Sequence, residues 1–482
     1  MTNTNALPRE QLAELDKTAL ITIIVEMQQQ ITVQAEVIQA LRDQLAKNSQ
    51  NSGKPPSSDG LKKKPRTRSL RQKGQRPNGG QPGHKGRTLQ QVEQPDHIEC
   101  HAVDWCPNCA ADMREVKVNA VEKRQVFDIP PVQVEVTEHQ AEIKQCAQCG
   151  ATVKGQFPAD VTQPVQYGPR LKAQAVYLNN YQLLPLARIS ELFEDFYQHR
   201  PSEAFILDAN TRLLEQAEPV LEHIHHQLID AAVAQFDESG VRVEGKLHWL
   251  HVASTPDLTY YAVHPKRGQA GMRDIGILPE FRGHAIHDHW ASYLTFDDCH
   301  HFFCNAHHLR ELQFVVDQYD QSWAQDMALL LLDIKAEVAA APPDWTSLPP
   351  DRLLHYDTRY DELLLQGFQA NLPPDPPPEP KRGRQKQTPP KNLLDRLQRH
   401  KPGTLAFMSD FQIPFDNNLA ERDVRMIKVK QKISGTFRTT TGADTFCAIR
   451  SYISTVRKQG HNVMHALHDA LAGRPFLPLT SA

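Results

Sequence analysis

The stretch Ala231-Ala232-Val233-Ala234-Gln235-Phe236-Asp237 decides the fold, because it is a short apolar run that ends in an acid. A run of this length predicts a buried strand. Successive side chains of a strand point to opposite faces, so Gln235 and Asp237 share one face and Phe236 takes the other. The sequence therefore predicts a carboxylate presented by a rigid strand.

Working outward, residues 231–243, 247–253 and 260–264 read as three strands, with turn residues at Glu244-Gly245 and Pro256-Asp257. They predict an antiparallel meander. A short helical signal over residues 276–281 precedes a fourth strand, Ala285-Ile286-His287, and Asp288 follows it directly. With a later helix that carries an acid, this order predicts a ribonuclease H-like catalytic core in a multidomain α/β protein.

The later helix begins in Asp416-Asn417-Asn418-Leu419-Ala420-Glu421-Arg422-Asp423-Val424-Arg425. Asp416 or Asn417 can cap its first turn. Arg425 and Lys428 follow Glu421 on one helix face, which predicts a metal ligand beside residues that contact DNA phosphates. Taken alone, the helix also fits an ordinary solvated charged face.

Asp237, Asp288 and Glu421 are the candidate catalytic residues. Three carboxylates can hold two divalent cations and leave coordination sites for a phosphate, and such a pair stabilises both oxygens of an in-line displacement. Asp297 and Asp298 compete with Asp288 for the second position. The predicted cofactor is Mg²⁺ or Mn²⁺.

Residues 1–47 predict a coiled-coil helix. Apolar positions recur at alternating spacings of four and three, with one polar position, at Leu20, Ile24, Met27, Ile31, Gln34, Ile38, Leu41 and Leu45. This seam predicts a homo-oligomer. The alternative is an amphipathic helix packed on its own domain.

Residues 48–95 predict a basic linker that is disordered when free. Between Lys54 and Arg87 there are eleven Lys or Arg and one acid, although the whole chain carries −3. This segment predicts salt-sensitive DNA binding, and the alternative is a solvated linker. The DNA-contacting residues predicted here are Lys62, Lys63, Lys64, Arg66, Arg68, Arg71, Lys73, Arg76, Lys85 and Arg87.

Residues 96–155 predict a zinc ribbon. Two CxxC knuckles, Cys106 with Cys109 and Cys146 with Cys149, are separated by residues 116–121 and 132–143, whose alternation predicts a hairpin. Four cysteines brought together in this way form a closed tetrahedral zinc site.

The remaining segments complete the predicted organisation. Residues 156–230 form a helical DNA-binding or connecting segment, residues 231–303 and 410–460 the catalytic core, and residues 461–482 a C-terminal tail. Residues 304–409 are a helical insertion, with helices over 323–341 and 352–370 and a Pro-rich linker.

The first residues lack the features of a signal peptide, and apolar runs are too short for a membrane span, which predicts a cytoplasmic protein without a membrane partner.

In combination these features resemble bacterial transposases of the insertion-sequence-66 family over nearly the whole chain. The resemblance rests on the coiled coil, the two knuckles, the segments 48–59 and 80–84, Asp237-Glu238-Ser239-Gly240, Cys304-Asn305-Ala306-His307-His308-Leu309-Arg310-Glu311-Leu312 and Asp416-Asn417-Asn418-Leu419-Ala420-Glu421-Arg422. It implies a DDE recombinase in which Asp237, Asp288 and Glu421 bind Mg²⁺. Such an enzyme cleaves the ends of its element and joins them to target DNA, with accessory proteins of the same element as possible partners.

Two alternatives stay open at this point. His287, His289, Cys304 and His307 supply nitrogen and sulfur ligands, which favour zinc and fit a zinc-dependent hydrolase. A catalytically inactive, zinc-ribbon DNA-binding regulator also fits the N-terminal half.

Overall fold

The computed structural model of the chain describes residues 16–47, 89–372 and 387–479. The basic segment from Lys54 to Arg87, with its ten predicted DNA contacts, and most of the Pro-rich linker lie outside the described residues. The chain divides into a large unit, Met1–Lys64, His139–Phe193 and Arg200–Ala482, and a small unit, Pro65–Glu138 and Glu194–His199.

The first element of the large unit is a single long helix, α1 (Lys17–Ala46), which begins where the Asp16 carboxylate accepts a hydrogen bond from the Ala19 N–H at 2.7 Å. Most of its apolar seam is exposed, from 49% at Ile38 to 83% at Leu45. Near its end the buried Asp43 accepts a hydrogen bond from the Tyr319 hydroxyl. The helix is thus anchored at one point while its seam faces outward.

The next elements are short strands and helices that precede the main sheet. Strands β1 (Ile143–Gln145) and β2 (Thr152–Lys154) pair antiparallel around the second CxxC knuckle. They are followed by α2 (Pro169–Val176), which a π-helical turn prolongs to Tyr181, and by α3 (Leu186–Tyr197) and α4 (Glu203–Ile229). Residues 169–229 are largely helical, whereas residues 156–168 are irregular.

A five-stranded mixed sheet forms the centre of the large unit. Its elements are β3 (Val233–Val243), β4 (Lys246–Ser254), β5 (Thr259–His264), α5 (Gln269–Ile275), α6 (Ile277–Glu280), β6 (His284–His287) and β7 (His300–Phe303). The strand order is β5-β4-β3-β6-β7; β3, β4 and β5 are antiparallel, whereas β6 runs parallel to both β3 and β7. The predicted meander and fourth strand are confirmed, and β7 was not predicted.

The helical insertion follows the sheet and has an apolar core of its own. It contains α7 (Asn305–Tyr319), α8 (Ser322–Ala340), α9 (Pro350–Ala370), α10 (Pro389–Arg399) and α11 (Lys401–Ser409). Trp323, Leu331, Tyr360 and Leu394 are almost fully buried in this core. The two helices predicted over 323–341 and 352–370 are confirmed.

The chain returns to the sheet through α12 (Asn418–Ile433) and α13 (Thr440–Lys458), and ends with α14 (Val463–Leu471). Ala420, Val424 and Ile427 of α12 pack on the sheet face that includes Val241 and Leu250. The opposite face, with Ala234 and Phe236, packs against α4 and α13. The apolar edge predicted for α12 is confirmed.

Two predicted domain boundaries differ from the structure. Residues 461–482 are not a simple tail, because Val463, Ala466, Leu467 and Ala470 form an apolar stripe that is buried in the same core as α4. Residues 156–230 likewise belong to the core of the sheet, since Leu213 and Ile224 of α4 share this cluster with Phe236.

The small unit is largely irregular over residues 89–138. The hairpin predicted from residues 116–121 and 132–143 is wrong: residues 116–142 form no strand, and Val118, Val121 and Val136 are exposed. Alternation produces a strand only where one face is buried against a partner, and these valines have no such face. Within the described residues, no helix combines the length and hydrophobicity required to cross a bilayer.

Candidate active site

Asp237 lies in β3, and Asp288 directly follows β6, the strand that runs parallel to β3. Residues Val233, Ala234 and Gln235 of β3 pair with His284, Ala285 and Ile286 of β6. Continuing this register by two residues places Asp237 opposite Asp288. The Asp288 carboxylate accepts a hydrogen bond from the Trp290 N–H at 2.8 Å, which holds it at the end of its strand.

Glu421 reaches the same place from the first turn of α12. The N-terminus of α12 is fastened to β3: the Asn417 side-chain amide donates to the Phe236 carbonyl oxygen at 2.7 Å, and the Leu419 N–H donates to the Gln235 side-chain oxygen at 3.2 Å. Both acceptors immediately precede Asp237. Asn417 occupies the N-cap position without capping the helix through its side chain, which is used for this contact instead.

The three acids influence one another electrostatically. Burial raises the pKa of Asp237 well above its usual range, and the carboxylates of Glu238, Asp288 and Glu421 raise it further. Burial and the Glu238 carboxylate raise the pKa of Asp288 to about 7. Mutual repulsion in a partly dehydrated setting is the condition that a bound cation relieves. Carboxylate oxygens of this kind suit a divalent metal, but among the described residues the three acids do not form a group within 4.8 Å of one another, so a shared metal site stays a prediction.

The predicted competitors of Asp288 are placed differently. Asp297 and Asp298 are both exposed, and Asp298 pairs with Arg282 at 3.2 Å. Neither contributes to the raised pKa of Asp237. Asp288 is the better candidate of the three.

A buried network beside Asp237 was missed at the sequence level. The Arg267 guanidinium donates twice to Glu238 Oε1, at 2.8 and 2.6 Å, and the Tyr293 hydroxyl donates to the other Glu238 oxygen. Arg267 also lies over the rings of Trp249 and Trp290, at 4.9 and 4.1 Å from their centroids. The only local signal was a second acid next to Asp237, on the opposite face of the strand.

Glu421 itself is surrounded by cations and by metal-ligand side chains. Its Oε2 pairs with Arg425 at 2.9 Å, and its Oε1 lies 3.4 Å from Arg310. Cys304 Sγ and His307 Nδ1 are 3.9 and 3.7 Å from the same Oε1. In the described part of the chain, Cys304, His307 and Glu421 are the one group of such ligands close enough to share a metal ion.

The four-residue zinc site considered as an alternative is not assembled. His287 contacts His301, with 2.8 Å between their ring nitrogens, and His289 contacts His308. Only Cys304 and His307 of the four join the group around Glu421. The four residues do not meet, because His287 of β6 pairs with His301 of β7, and His289 pairs with His308 of α7.

Two predicted DNA contacts on α12 have internal partners. The Lys428 ammonium donates to the Gly240 carbonyl oxygen at 2.7 Å, and burial lowers the pKa of this lysine. Arg425 is well exposed although it pairs with Glu421. Contact with DNA remains a prediction for both residues.

The zinc-ribbon cysteines form two knuckles of matching geometry. In the first, the Cys106 N–H donates to Ala111 O and the Ala110 N–H donates to Cys106 O. In the second, Cys146 makes the equivalent bonds with Ala151 and Gly150. Within each knuckle, hydrogen bonds from backbone N–H groups lower the pKa of the first cysteine, Cys106 or Cys146, which favours a thiolate ligand. The two knuckles belong to different units, so their closure into one site stays a prediction.

Three known protein families match parts of the chain. The model described as "Transposase IS66 family" matches residues 164–445, which include the sheet, the insertion and all three acids. The model of the zinc-finger binding domain of transposase IS66 matches residues 104–150, and a family of unknown function matches residues 4–90. No curated protein matches the chain.

The longest match covers more than half of the residues and is a transposase model. The chain therefore belongs to the IS66 transposase family. The predicted resemblance is confirmed, and the zinc-finger match supports a structural zinc and a DNA partner.

Proposed function

We propose that this transposase cleaves and joins DNA by two-metal chemistry at Asp237, Asp288 and Glu421. The proposal is supported by the placement of the three acids: Asp237 lies in β3, Asp288 follows the parallel strand β6, and Glu421 lies on a helix fastened to β3. The strand order, a three-stranded meander continued by two parallel strands, is that expected of a ribonuclease H-like core.

The roles of the residues follow from their positions. Asp237 would be shared by both cations, because the carboxylates of both Asp288 and Glu421 raise its pKa. Bound magnesium ions would activate a water or a DNA 3′ hydroxyl for in-line attack on a phosphodiester and stabilise the leaving oxygen. The Glu238–Arg267 pair fixes the backbone on the far side of Asp237, so the carboxylate is held rather than free to reorient.

The positive charges near Glu421 suit a phosphate substrate. Arg310 and Arg425 flank this carboxylate and would be available to a DNA backbone once cations neutralise the acid. The basic segment 48–95 and the zinc ribbon would supply further, largely sequence-independent affinity.

Self-association through α1 is part of the proposal. The exposed Ile24, Met27, Ile31, Ile38 and Leu41 form one stripe on a free helix face, and a second copy of the chain would bury it as a coiled coil. A dimer would bring two active sites to the two ends of one element. Accessory proteins of the same element would act on this assembly.

The direct test is a cleavage assay with the full chain, DNA that carries candidate element ends, and Mg²⁺. Nicks should map to the element ends, and Asp237→Asn and Glu421→Gln should abolish them while DNA binding in a mobility-shift assay is retained. Unchanged cleavage in both variants would refute the catalytic assignment, because the chain would then cut DNA without these carboxylates.

A further inference from the structure

A second kind of metal site lies beside the three acids. Its candidate ligands are Cys304 Sγ, His307 Nδ1 and Glu421 Oε1, which all lie within 4.8 Å of one another. The sulfur and the ring nitrogen are 3.9 and 3.7 Å from the carboxylate oxygen. A thiolate and an imidazole are ligands for zinc rather than for magnesium.

The distances are close to those of a tetrahedral zinc site. With bonds of about 2.3 Å to sulfur and about 2.0 Å to nitrogen and oxygen, ligand atoms in such a site are about 3.3–3.5 Å apart. The sulfur and the nitrogen would each need to approach the carboxylate oxygen by only a few tenths of an ångström, and they lie within 4.8 Å of each other. This shift is within the freedom of side chains that already face one point.

The hydrogen bonding of the ligands fits a metal. His307 Nδ1 is buried and has no hydrogen-bond partner among the described residues, so this nitrogen is available to an ion. Cys304 Sγ accepts a hydrogen bond from the Asn417 N–H at 3.2 Å, as a metal-bound thiolate requires.

The ligands come from two distant parts of the chain. Cys304 is the N-cap of α7 and His307 lies in its first turn, whereas Glu421 lies in the first turn of α12. Protein contacts already join these two helix starts, because the Asn305 N–H donates to Phe415 O at 3.1 Å. A metal ion here would tie the insertion to the sheet and fix one Glu421 oxygen.

We propose that Cys304, His307 and Glu421 bind a zinc ion in addition to the zinc of the ribbon. Oε1 of Glu421 would face the zinc, and Oε2, which now pairs with Arg425, would remain for the proposed magnesium site. A fourth position would be left to water. The inference concerns metal content, so it stands whether or not the three acids catalyse DNA cleavage.

The test measures zinc per chain in the full-length protein by plasma mass spectrometry after dialysis against zinc-free buffer. We expect two zinc ions in the wild type and one in Cys304→Ser and in His307→Ala. Cys447→Ala is the matched control, since Cys447 is an equally buried cysteine away from the site, and it should keep two. Asp237→Asn should also keep two, even though it abolishes the proposed cleavage.

Circular dichroism checks that each variant is folded. If Cys304→Ser does not fold, the zinc content of His307→Ala tests the proposal. The His307 ring is partly exposed, so its removal disturbs packing less. The inference would be overturned by equal zinc content in the wild type and His307→Ala. It would equally be overturned if chelator-treated wild type took up only one zinc in a calorimetric titration.

Discussion

The side-chain amide of Asn417 donates a 2.7 Å hydrogen bond to the carbonyl oxygen of Phe236, the residue before Asp237. Both residues are buried, and they are 181 positions apart in the chain. This bond sets the distance between the helix that carries Glu421 and the strand that carries Asp237. The third acid is therefore positioned by a residue that is not itself a candidate metal ligand.

Asn417→Ala should lower DNA cleavage by at least about tenfold while DNA affinity stays unchanged, because it lets the start of α12 move. It leaves the buried Phe236 carbonyl without a donor, which should lower the free energy of unfolding by about 1–3 kcal/mol. Single-turnover cleavage and urea denaturation measure the two effects. The neighbouring exposed Asn418→Ala is the control, and a similar loss in both variants would contradict the assignment.

The raised pKa of Asp288, about 7, gives the magnesium-free protein a distinct pH dependence. Between about pH 4 and pH 7 the native carboxyl keeps a proton that the unfolded chain has lost. The stabilisation is present at low pH and is lost as the pH rises through 7. Asp288→Asn should therefore be more stable than the wild type at pH 8, by about 1–3 kcal/mol, and added Mg²⁺ should stabilise only the wild type.

Thermal denaturation at pH 5 and pH 8, with and without Mg²⁺, makes this comparison. The exposed Asp298→Asn should follow the wild type at every pH. An Asp288→Asn variant that is less stable than the wild type at pH 8 without Mg²⁺ would show that this carboxyl is not destabilised in the fold.

Two variants of the Glu238–Arg267 pair distinguish the loss of a charge partner from the loss of a charge alone. Arg267→Ala leaves Glu238 buried without its charge partner and should cost about 3–5 kcal/mol. Glu238→Gln keeps an acceptor for Arg267 or Tyr293 and removes one carboxylate beside Asp237, so it should cost less. Urea denaturation of the two variants tests the order, and the reverse order would be incompatible with a buried ion pair at this position.

The apolar seam of α1 predicts a dimer, and a single charged side chain introduced into this seam should dissociate it. Ile31→Lys should convert the full chain to a monomer, because it places an ammonium in the buried seam. Val33→Lys lies on the same helix, is similarly exposed and is off the seam, so it should leave the dimer intact. Light scattering after size exclusion gives the mass, and a monomeric wild type would exclude the coiled coil.

Local patterns determined much of the core. The alternation of residues 231–243, the turn at Glu244-Gly245 and the apolar run before Asp288 predicted β3, β4, β5 and β6. The turn succeeded because both its residues adopt positive φ, at 52° and 73°, which tight hairpins require. The same alternation failed over residues 116–142, because a strand also needs a partner that buries one of its faces.

The sequence by itself determined strands β3 to β6, helices α8 and α9, the two knuckles and the three candidate acids, since periodicity and ligand type are local properties of the chain. Tertiary structure alone decided that β6 joins β3 in the register that sets Asp288 opposite Asp237, and that His307 faces Glu421 rather than His289. It also decided that Arg267 pairs with Glu238 and that α14 joins the core. These relationships depend on the free energy of packing residues that are far apart in the chain, which short-range spacing does not encode.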